Sequence, residues 1–367
     1  MTTATPKTSV VIAAYQASAY IRATLASVFA QTRRDFEVVL VNDGSPDPEQ
    51  FEKQIEPYRD RITYLRQSNQ GPSAARNAAI RSASGEFIAI LDSDDLWFPD
   101  YLEKQLAILD RDPALDLIYC DALLGRDNLP CHSTYMQTYP SRGPVTLESL
   151  LQEDCSIISS CTIARRARLL EAGLFDETLR RSEDYDLWLR MLLRGARMTY
   201  QERVLAFHRI RAGSLSSDFD LMRAAQVRVY EKMASLPLPA PQKKLIARLT
   251  RKVQAEIAMD DFRESLQYRR KIAASNALRR ARRLNGDWRL LGLEIAVRVA
   301  PIALKKFYEA RRKRIRVQRG KKQQKLLRTI KIPESLLQLP GACLWVDPAR
   351  VVKKDKDQDG HSRVPPA

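Results

Sequence analysis

An apolar run that ends in three carboxylates constrains the fold of this chain more than any other stretch. Residues 87–91 are all apolar, which is typical of a short strand buried on both faces of a sheet. Asp92, Asp94 and Asp95 follow at its carboxyl end, where open α/β sheets place their ligand crevices. Crowded carboxylates repel each other unless a cation lies between them, and Mg²⁺ and Mn²⁺ prefer carboxylate oxygens together with water and substrate phosphates. We therefore predict a divalent metal site here. The simpler alternative is that Asp95 caps a helix that begins near Pro99.

Apolar strands and amphipathic helices alternate through the N-terminal part of the chain. Strands are predicted at residues 9–14, 36–41, 62–65, 87–91 and 115–120. Helices are predicted at residues 19–30, 48–57, 73–82 and 101–109. This alternation is typical of an α/β fold in which helices cover both faces of a parallel sheet. Because the carboxyl ends of parallel strands share one edge, we expect Tyr15, Asp43 and Asn69 on the same rim as the three carboxylates.

The sequence lacks the glycine loops that usually bind nucleotide phosphates. None of its 13 glycines forms Gly-x-Gly-x-x-Gly after the first predicted strand, and no Gly-x-x-x-x-Gly-Lys-Ser/Thr occurs. A dinucleotide-binding Rossmann domain is therefore not favoured. Any nucleotide must be bound through acidic side chains and a metal.

The composition of the chain indicates which kind of metal site and which cellular location to expect. The chain has five cysteines with no Cys-x-x-Cys pair and only three histidines, so zinc and disulfide frameworks are not indicated and a metal must be held mainly by oxygen. No apolar run reaches the roughly eighteen residues of a membrane-spanning helix, and the first residues do not resemble a signal peptide. We expect a cytoplasmic protein.

A second acidic group stands at the start of a predicted helix over residues 182–190. Glu183 and Asp184 lie in its first turn, where the helix dipole stabilises carboxylates. They are either functional acids or only helix-start residues. Before this helix, the polar and proline-containing segment 127–143 is predicted to be a loop that can close over a substrate.

From about residue 8 to 217 the chain resembles the inverting glycosyltransferases of family 2, which have the GT-A fold, a Rossmann-like mixed sheet. Five motifs carry the resemblance in this order: Val-Asn-Asp-Gly-Ser at 41–45, Asn-Gln-Gly-Pro-Ser-Ala-Ala-Arg-Asn at 69–77, Leu-Asp-Ser-Asp-Asp at 91–95, Gly-Leu-Phe-Asp-Glu at 173–177 and Ser-Glu-Asp-Tyr-Asp-Leu-Trp-Leu-Arg at 182–190. The resemblance implies a metal-dependent transfer, with inversion, of a sugar from a nucleotide-sugar donor, UDP-linked in most relatives, to a hydroxyl of a glycan or lipid-linked acceptor.

The resemblance also implies roles for individual residues. The donor-binding positions are Ala14, Tyr15, Asp43, Asn69, Arg76, Asp92, Ser93 and His208. The positions for Mg²⁺ or Mn²⁺ are Asp94, Asp92 and His208, with Asp95 in support. Asp184 corresponds to the catalytic base and Glu183 is its neighbour. For His208, a purely structural role is the alternative.

Two other functions stay open. One is a catalytically inactive domain that binds glycans or a membrane. The other is a nucleotidyltransferase that uses the same carboxylates, although it needs a triphosphate-binding loop of glycine and lysine near the start, and residues 13–19 contain none.

The positive charge of the chain is concentrated near its C-terminus. The net charge is +17, and residues 263–331 contain 23 Lys and Arg against 4 Asp and Glu. Residues 218–331 are predicted to form a basic helical region, whereas residues 332–367 are predicted to be a disordered tail. An amphipathic segment at 290–304 leads into a basic cluster at 305–319.

An amphipathic segment beside dense positive charge fits peripheral binding to an anionic membrane. We therefore predict that residues 290–331 hold the protein on the inner face of the plasma membrane, in the synthesis of a cell-surface glycan, polysaccharide or glycolipid. A solvated basic helical face or a disordered basic tail is the alternative. No nucleic-acid-binding motif accompanies the charge.

Overall fold

The computed structural model describes residues 6–126, 129–211, 214, 218–300, 302–304, 306–307 and 310. The first four strands are parallel and lie in the order β3-β2-β1-β4. They are β1 (Thr8–Ala14), β2 (Phe36–Asp43), β3 (Thr63–Gln67) and β4 (Phe87–Asp92). The helices that alternate with them are α1 (Ile21–Phe29), α2 (Pro48–Ile55), α3 (Pro72–Ser82) and α4 (Tyr101–Arg111), and a 3-10 turn (Glu56–Arg61) follows α2. The predicted alternation is confirmed here.

The second part of the sheet is mixed, so the parallel pattern predicted from strand and helix alternation ends at β4. Its strands are β5 (Leu96–Trp97), β6 (Leu117–Arg126), β7 (Leu129–Thr134), β8 (Thr162–Arg165) and β9 (Met198–Ile210). β8 is antiparallel to both β4 and β6, β9 is parallel to β6, and β5 is antiparallel to β9. The helices of this part are α5 (Tyr135–Thr138), α6 (Leu147–Leu151), α7 (Arg166–Glu171) and α8 (Glu183–Leu193), and a 3-10 turn (Ser159–Cys161) precedes β8.

The prediction of a loop over residues 127–143 was wrong for most of the segment. β7 pairs antiparallel with the end of β6, with Gly125 opposite Pro130. β7 pairs only with β6 among the described strands, and proline is tolerated on such an edge because its missing N–H faces outward. Thr134 then caps α5 by accepting a hydrogen bond from Gln137 N. Pro130 therefore lies in an edge strand and Pro140 in the loop after α5, so the prolines do not mark one continuous loop.

Both faces of the sheet are covered by apolar side chains, which explains the continuous apolar runs of the strands. In β1, Val10 and Ile12 point into one core and Val11 into the other, and all three are at most 1% exposed. Trp97 stacks on Tyr101 at a centroid distance of 4.1 Å and closes the first core beside the acidic segment after β4. The segment that carries the three carboxylates is thus attached to a well-packed core.

A helical region follows the sheet, as predicted. It contains α9 (Phe219–Ala234), α10 (Ala240–Gln267), α11 (Lys271–Asn285) and α12 (Arg289–Val299). Tyr230 of α9 and Ile246 of α10 are buried in the core that also lines α8. Phe262, Leu278 and Val297 form a separate core among α10, α11 and α12. Within the described ranges, every helix is too short or too polar to cross a membrane. The predicted tail, 332–367, lies outside the described residues.

Candidate active site

Asp43, at the end of β2, is held by the loop that precedes α3. Its Oδ1 accepts hydrogen bonds from Gln67 Nε2 at 2.8 Å and Gln70 N at 2.9 Å, and its Oδ2 accepts one from Gly71 N at 2.8 Å. Gly44 has φ +70, and a Cβ there would lie 2.7 Å from Asn69 N. Only glycine allows this close approach of the two loops. The predicted residues Asp43 and Asn69 are therefore brought together at one edge of the sheet.

Arg76 of α3 joins the end of β4 to the start of α8. Its Nη2 donates a hydrogen bond to Asp92 Oδ1 at 2.7 Å, and its Nη1 donates to Glu183 Oε1 at 2.6 Å. The side chains of Arg76 and Glu183 are each 10% exposed. Burial favours the neutral form of Asp92, but Arg76 outweighs it and lowers the pKa of Asp92 below its usual range. One buried cation thus fixes two predicted site acids that are far apart in sequence.

Asp95 fastens the end of β9 to the segment after β4. Its Oδ1 accepts a hydrogen bond from Arg209 N at 2.8 Å, and its Oδ2 lies 2.8 Å from His208 Nδ1. Burial lowers the pKa of His208, but the adjacent Asp95 carboxylate outweighs it and raises that pKa to about 9. The alternative in which Asp95 caps α4 is wrong, because the residue at that helix start is Asp100. His208 is a cation beside the acidic segment.

Asp94 lies against a second cation from the same strand end. Arg211 Nε is 2.6 Å from Asp94 Oδ2, and Arg209 Nε donates a hydrogen bond to the Asp94 carbonyl at 2.7 Å. Burial, together with the Asp95 and Asp92 carboxylates, raises the pKa of Asp94 to about 7 in spite of Arg211. The sequence analysis gave no role to Arg209 or Arg211, since only the pairing of β9 with β5 and β6 brings them here.

The acidic segment can supply one or two carboxylate ligands to a divalent cation, but not a complete set of protein ligands. No three His, Cys, Asp or Glu side chains converge on one point in the described part of the chain. Mg²⁺ needs only one or two protein carboxylates when substrate phosphates and water complete its shell. The Asp94 side chain is 16% exposed and the Asp92 side chain is 32% exposed, so both carboxylates are accessible to an ion. His208 Nδ1 already contacts Asp95, so only Nε2 could bind a metal, and protonated His208 has no free lone pair there.

Asp184 lies in the first turn of α8 with its carboxylate in a defined orientation. Its Oδ2 accepts a hydrogen bond from Ser159 Oγ at 2.7 Å, and its Oδ1 accepts one from Tyr185 N at 2.7 Å. Asp184 is partly exposed, unlike its neighbour Glu183. Burial and then the nearby Asp184 charge raise the pKa of Tyr135 above its ordinary value, so this α5 residue also lies close.

The 3-10 turn before β8 connects Asp184 to the acidic segment. Ser159 binds Asp184, whereas the next residue, Ser160, accepts a hydrogen bond from Asp92 N at 3.2 Å through its Oγ. Trp97 Nε1 donates to the Ser160 carbonyl at 2.7 Å and holds the turn. The sequence analysis assigned no role to these serines, because their proximity to Asp184 depends on contacts between distant segments.

The remaining predicted donor-binding residues, Ala14, Tyr15 and Ser93, lie at the same edge of the sheet. Ala14 ends β1 and is buried, Tyr15 is 42% exposed, and the Ser93 carbonyl accepts a hydrogen bond from Thr24 Oγ1 at 3.0 Å. Their roles toward a donor stay predictions. The site therefore contains two carboxylates held by hydrogen bonds, Asp43 and Asp184, and the buried bridge through Arg76. It also contains Asp94, whose carboxylate contacts Arg211 and whose carbonyl contacts Arg209.

Comparison with known proteins identifies relatives over the part of the chain that contains this site. Residues 9–173 match the profile described as Glycosyl transferase family 2, which ends before α8. Over 217 residues the chain is 32% identical to an uncharacterized glycosyltransferase of Rickettsia prowazekii, and the match covers 58% of this chain and 66% of that protein. The corresponding protein of Rickettsia typhi is 34% identical, with 57% and 65% covered. The match thus spans less than two thirds of the length of these relatives.

Solved structures show the same fold. TarS residues 1–349 of S. aureus, crystallised with UDP-GlcNAc, has a TM-score of 0.57 and 21% identity, with 83% of this chain and 92% of TarS covered. The mannosyltransferase PcManGT of Pyrobaculum calidifontis, in complex with GDP-Man and Mn²⁺, has a TM-score of 0.52 and 18% identity, with 83% and 84% covered. Over residues 9–173 the chain is similar to the glycosyltransferases of family 2, and it has the GT-A fold.

Proposed function

We propose that this chain is a metal-dependent, inverting glycosyltransferase that moves a sugar from a UDP-linked donor to an acceptor hydroxyl. The observation that carries the proposal is the bridge of Arg76 between Asp92 and Glu183, since it brings the start of α8, and with it Asp184, to the acidic end of β4. The two structural neighbours were solved with UDP-GlcNAc and with GDP-Man and Mn²⁺, which supports a nucleotide-sugar donor.

Asp184 acts as the general base in this proposal. The acceptor oxygen forms a bond to the anomeric carbon of the sugar, its proton passes to the Asp184 carboxylate, and the bond from that carbon to the diphosphate oxygen breaks. A single displacement from the side opposite the leaving group inverts the anomeric centre. Ser159 and Tyr185 N orient the carboxylate, and partial exposure lets it reach the acceptor.

The donor side relies on fixed charges. The nucleobase lies against Asp43, whose carboxylate is held by three hydrogen bonds. His208 and Arg211 are the cations that face the leaving diphosphate. A divalent ion held by Asp94 and Asp92 supplies Lewis-acid stabilisation of the diphosphate when it is bound.

The acceptor is proposed to be a growing cell-surface glycan, polysaccharide or glycolipid. The protein is proposed to act in the cytoplasm, on the inner face of the plasma membrane, through residues 290–331. The excess of Lys and Arg over residues 263–331 supports this location, because such charge is attracted to anionic headgroups.

A donor screen tests the activity before any acceptor is known. Nucleotide sugars with Mn²⁺ are tested for thermal stabilisation, since a ligand that binds the folded state raises its apparent stability. The stabilising donors are then incubated with the protein, and released nucleoside diphosphate is measured. We expect one donor class to stabilise the protein and to be hydrolysed slowly, with both effects lost in excess chelator. Binding without any hydrolysis or transfer would favour an inactive binding domain.

A further inference from the structure

Helix α12 carries apolar side chains on two opposite sides. On one side, Leu290, Leu293 and Val297 pack into the core formed with α10 and α11. On the other side lie Trp288, Leu291, Ile295 and Val299, which we call the outer stripe. They follow each other at intervals of three or four residues, so they share one side of the helix. Their exposed fractions are 76%, 44%, 55% and 79%.

An exposed apolar row of this kind is unusual for a helix at a protein surface. Surface helices normally bury one apolar side and turn a polar side to water, whereas a helix that is apolar on both sides is covered on both. Contiguous exposed apolar patches commonly mark protein or membrane contacts. The outer stripe is therefore expected to have an occupant.

The charges around the stripe are positive. The helical spacing places Arg289 on one flank of the stripe and Arg298 on the other, and both side chains are exposed. The acid of the helix, Glu294, is turned away and is 8% exposed. A hydrogen bond from Arg279 lowers the pKa of Glu294, and the Arg298 and Arg282 charges add to the effect in spite of burial. The negative charge of α12 is thus neutralised on its inner side.

The chain beyond the described helices adds more positive charge. Residues 311–331 contain eleven Lys and Arg and no Asp or Glu. A second copy seated on the stripe would bring two basic surfaces together, and this basic segment folded back over the stripe would do the same. An anionic lipid surface can bury the apolar stripe among its acyl chains and pair the basic flanks with its headgroups.

We propose that the outer stripe inserts into the boundary between headgroups and acyl chains of an anionic bilayer, with Arg289 and Arg298 at the headgroups. This inference rests on the membrane location proposed above and deepens it, because insertion differs from purely electrostatic attraction. Attraction between exposed charges is screened over about 3 Å at 1 M salt, compared with about 8 Å at 0.15 M, whereas apolar insertion does not weaken in this way.

Vesicle flotation of the full-length protein tests the proposal. Vesicles of phosphatidylcholine alone are compared with vesicles that also contain phosphatidylglycerol, at low and high salt. The test variant is Leu291→Ser with Ile295→Ser, and the matched control is Ile272→Ser, which changes an 81% exposed residue of α11. We expect the wild type and the control to float with the anionic vesicles and to retain part of this binding at high salt. The test variant should partition at least about tenfold more weakly.

Fluorescence gives a second readout that does not depend on the folding of the serine variant. Trp97 and Trp188 are at most 1% exposed, and Trp345 can be removed as Trp345→Phe, so that Trp288 is the exposed indole that remains. In this background, anionic vesicles with brominated acyl chains should quench Trp288 emission.

Three results would overturn the inference. The first is that the test variant floats with anionic vesicles as well as wild type does. The second is that wild type loses all vesicle binding at high salt and Trp288 emission is not quenched. The third is that wild type is a dimer in solution and the test variant is a monomer. Donor hydrolysis without vesicles is measured in parallel. An active protein that fails to float contradicts the membrane inference alone, whereas a floating protein that neither binds nor hydrolyses any donor contradicts the proposed transferase.

Discussion

The sheet-forming part of the chain, residues 8–210 with Arg211 at its end, and the C-terminal helices use arginine in different ways. In the sheet-forming part, Arg76 is buried between two carboxylates, and Arg211 lies against Asp94. On α12, Arg289 and Arg298 are exposed beside apolar side chains, and residues 311–331 add eleven Lys and Arg with no Asp or Glu. Cations with matched acids fix the relative positions of distant segments. Exposed cations in excess of the nearby acids attract an external anionic surface.

The largest expected effect is the loss of the base. Asp184→Asn keeps the size of the side chain but cannot take the acceptor proton, so we expect transfer to fall by about 10²–10⁴-fold with donor binding retained. Turnover and donor affinity are measured separately. Asp60→Asn, which changes an exposed acid of the 3-10 turn after α2, is the control. Normal turnover by Asp184→Asn would remove this residue from the chemistry.

Arg76→Met tests whether buried charge positions the site. The change leaves Asp92 and Glu183 without their shared cation, and we expect the free energy of unfolding to fall by about 3 kcal/mol. Denaturant unfolding is the measurement. Arg81→Met on the same helix is the control, because the Arg81 side chain is 59% exposed and its partner Glu177 is 3.8 Å away, so a loss within about 1 kcal/mol is expected. Equal losses for the two variants would contradict the distinction between buried and exposed arginine.

Lys232→Met tests how α9 is attached to α8 and the segment before it. Lys232 Nζ lies 2.6 Å from Asp176 Oδ2 and 3.0 Å from Asp186 Oδ2. Burial alone raises the pKa of Asp176, but the hydrogen bond and charge of Lys232 and the hydrogen bonds from Thr178 together outweigh it, and the pKa falls to about 2. Because this folded-state pKa is depressed, the stabilisation is present above the unfolded value of about 3.9 and is lost as the pH falls through about 2.

We therefore expect wild type to be more stable than Lys232→Met at pH 7 by about 1 kcal/mol, after allowing for solvent screening. The difference should shrink between about pH 4 and pH 2. Urea unfolding of both proteins over this range is the measurement. A difference that is constant with pH would contradict the ion pair with Asp176 as its cause.

Arg211→Gln has the smallest expected effect and examines the cation at Asp94. Arg211 Nε lies 2.6 Å from the carboxylate that would hold the metal. Two unit charges about 4 Å apart repel by about 1 kcal/mol in water-like surroundings, so removing Arg211 favours a doubly charged ion by about 2 kcal/mol without salt and by about 1 kcal/mol at about 0.15 M salt. We expect Mn²⁺ to bind about fivefold more tightly in the absence of donor, as measured by the signal of free Mn²⁺ in electron paramagnetic resonance. Weaker binding of Mn²⁺ would show that Arg211 supports the metal position.

The sequence predicted the parts of this fold that depend on local patterns. The apolar runs of β1, β2 and β4 and the acids after β4 are visible in short windows, and the start of α8 is marked by its acidic first turn. The contacts of Arg76 were not predictable, because its partners lie 16 and 107 positions away along the chain. The pairing of Asp95 with His208 depends in the same way on β9 returning to the sheet.

Helix α12 is a second case in which the sequence predicts an element but not its contacts. Its apolar content was evident in the sequence, whereas the inward position of Glu294, which accepts a 3.3 Å hydrogen bond from Arg298, was not. The sequence pattern could not show which apolar side packs on α11 and which faces outward. That choice depends on Arg279, which draws Glu294 inward from the neighbouring helix.

The most direct test of the account is a crystal structure with Mn²⁺ and a non-hydrolysable nucleotide sugar. The account predicts that the ion binds the Asp94 carboxylate in place of Arg211, that the nucleobase lies against Asp43, and that the Asp184 carboxylate faces the anomeric carbon from the side opposite the diphosphate. An ion bound away from Asp94, or an Asp184 side chain on the far side of the donor, would contradict it.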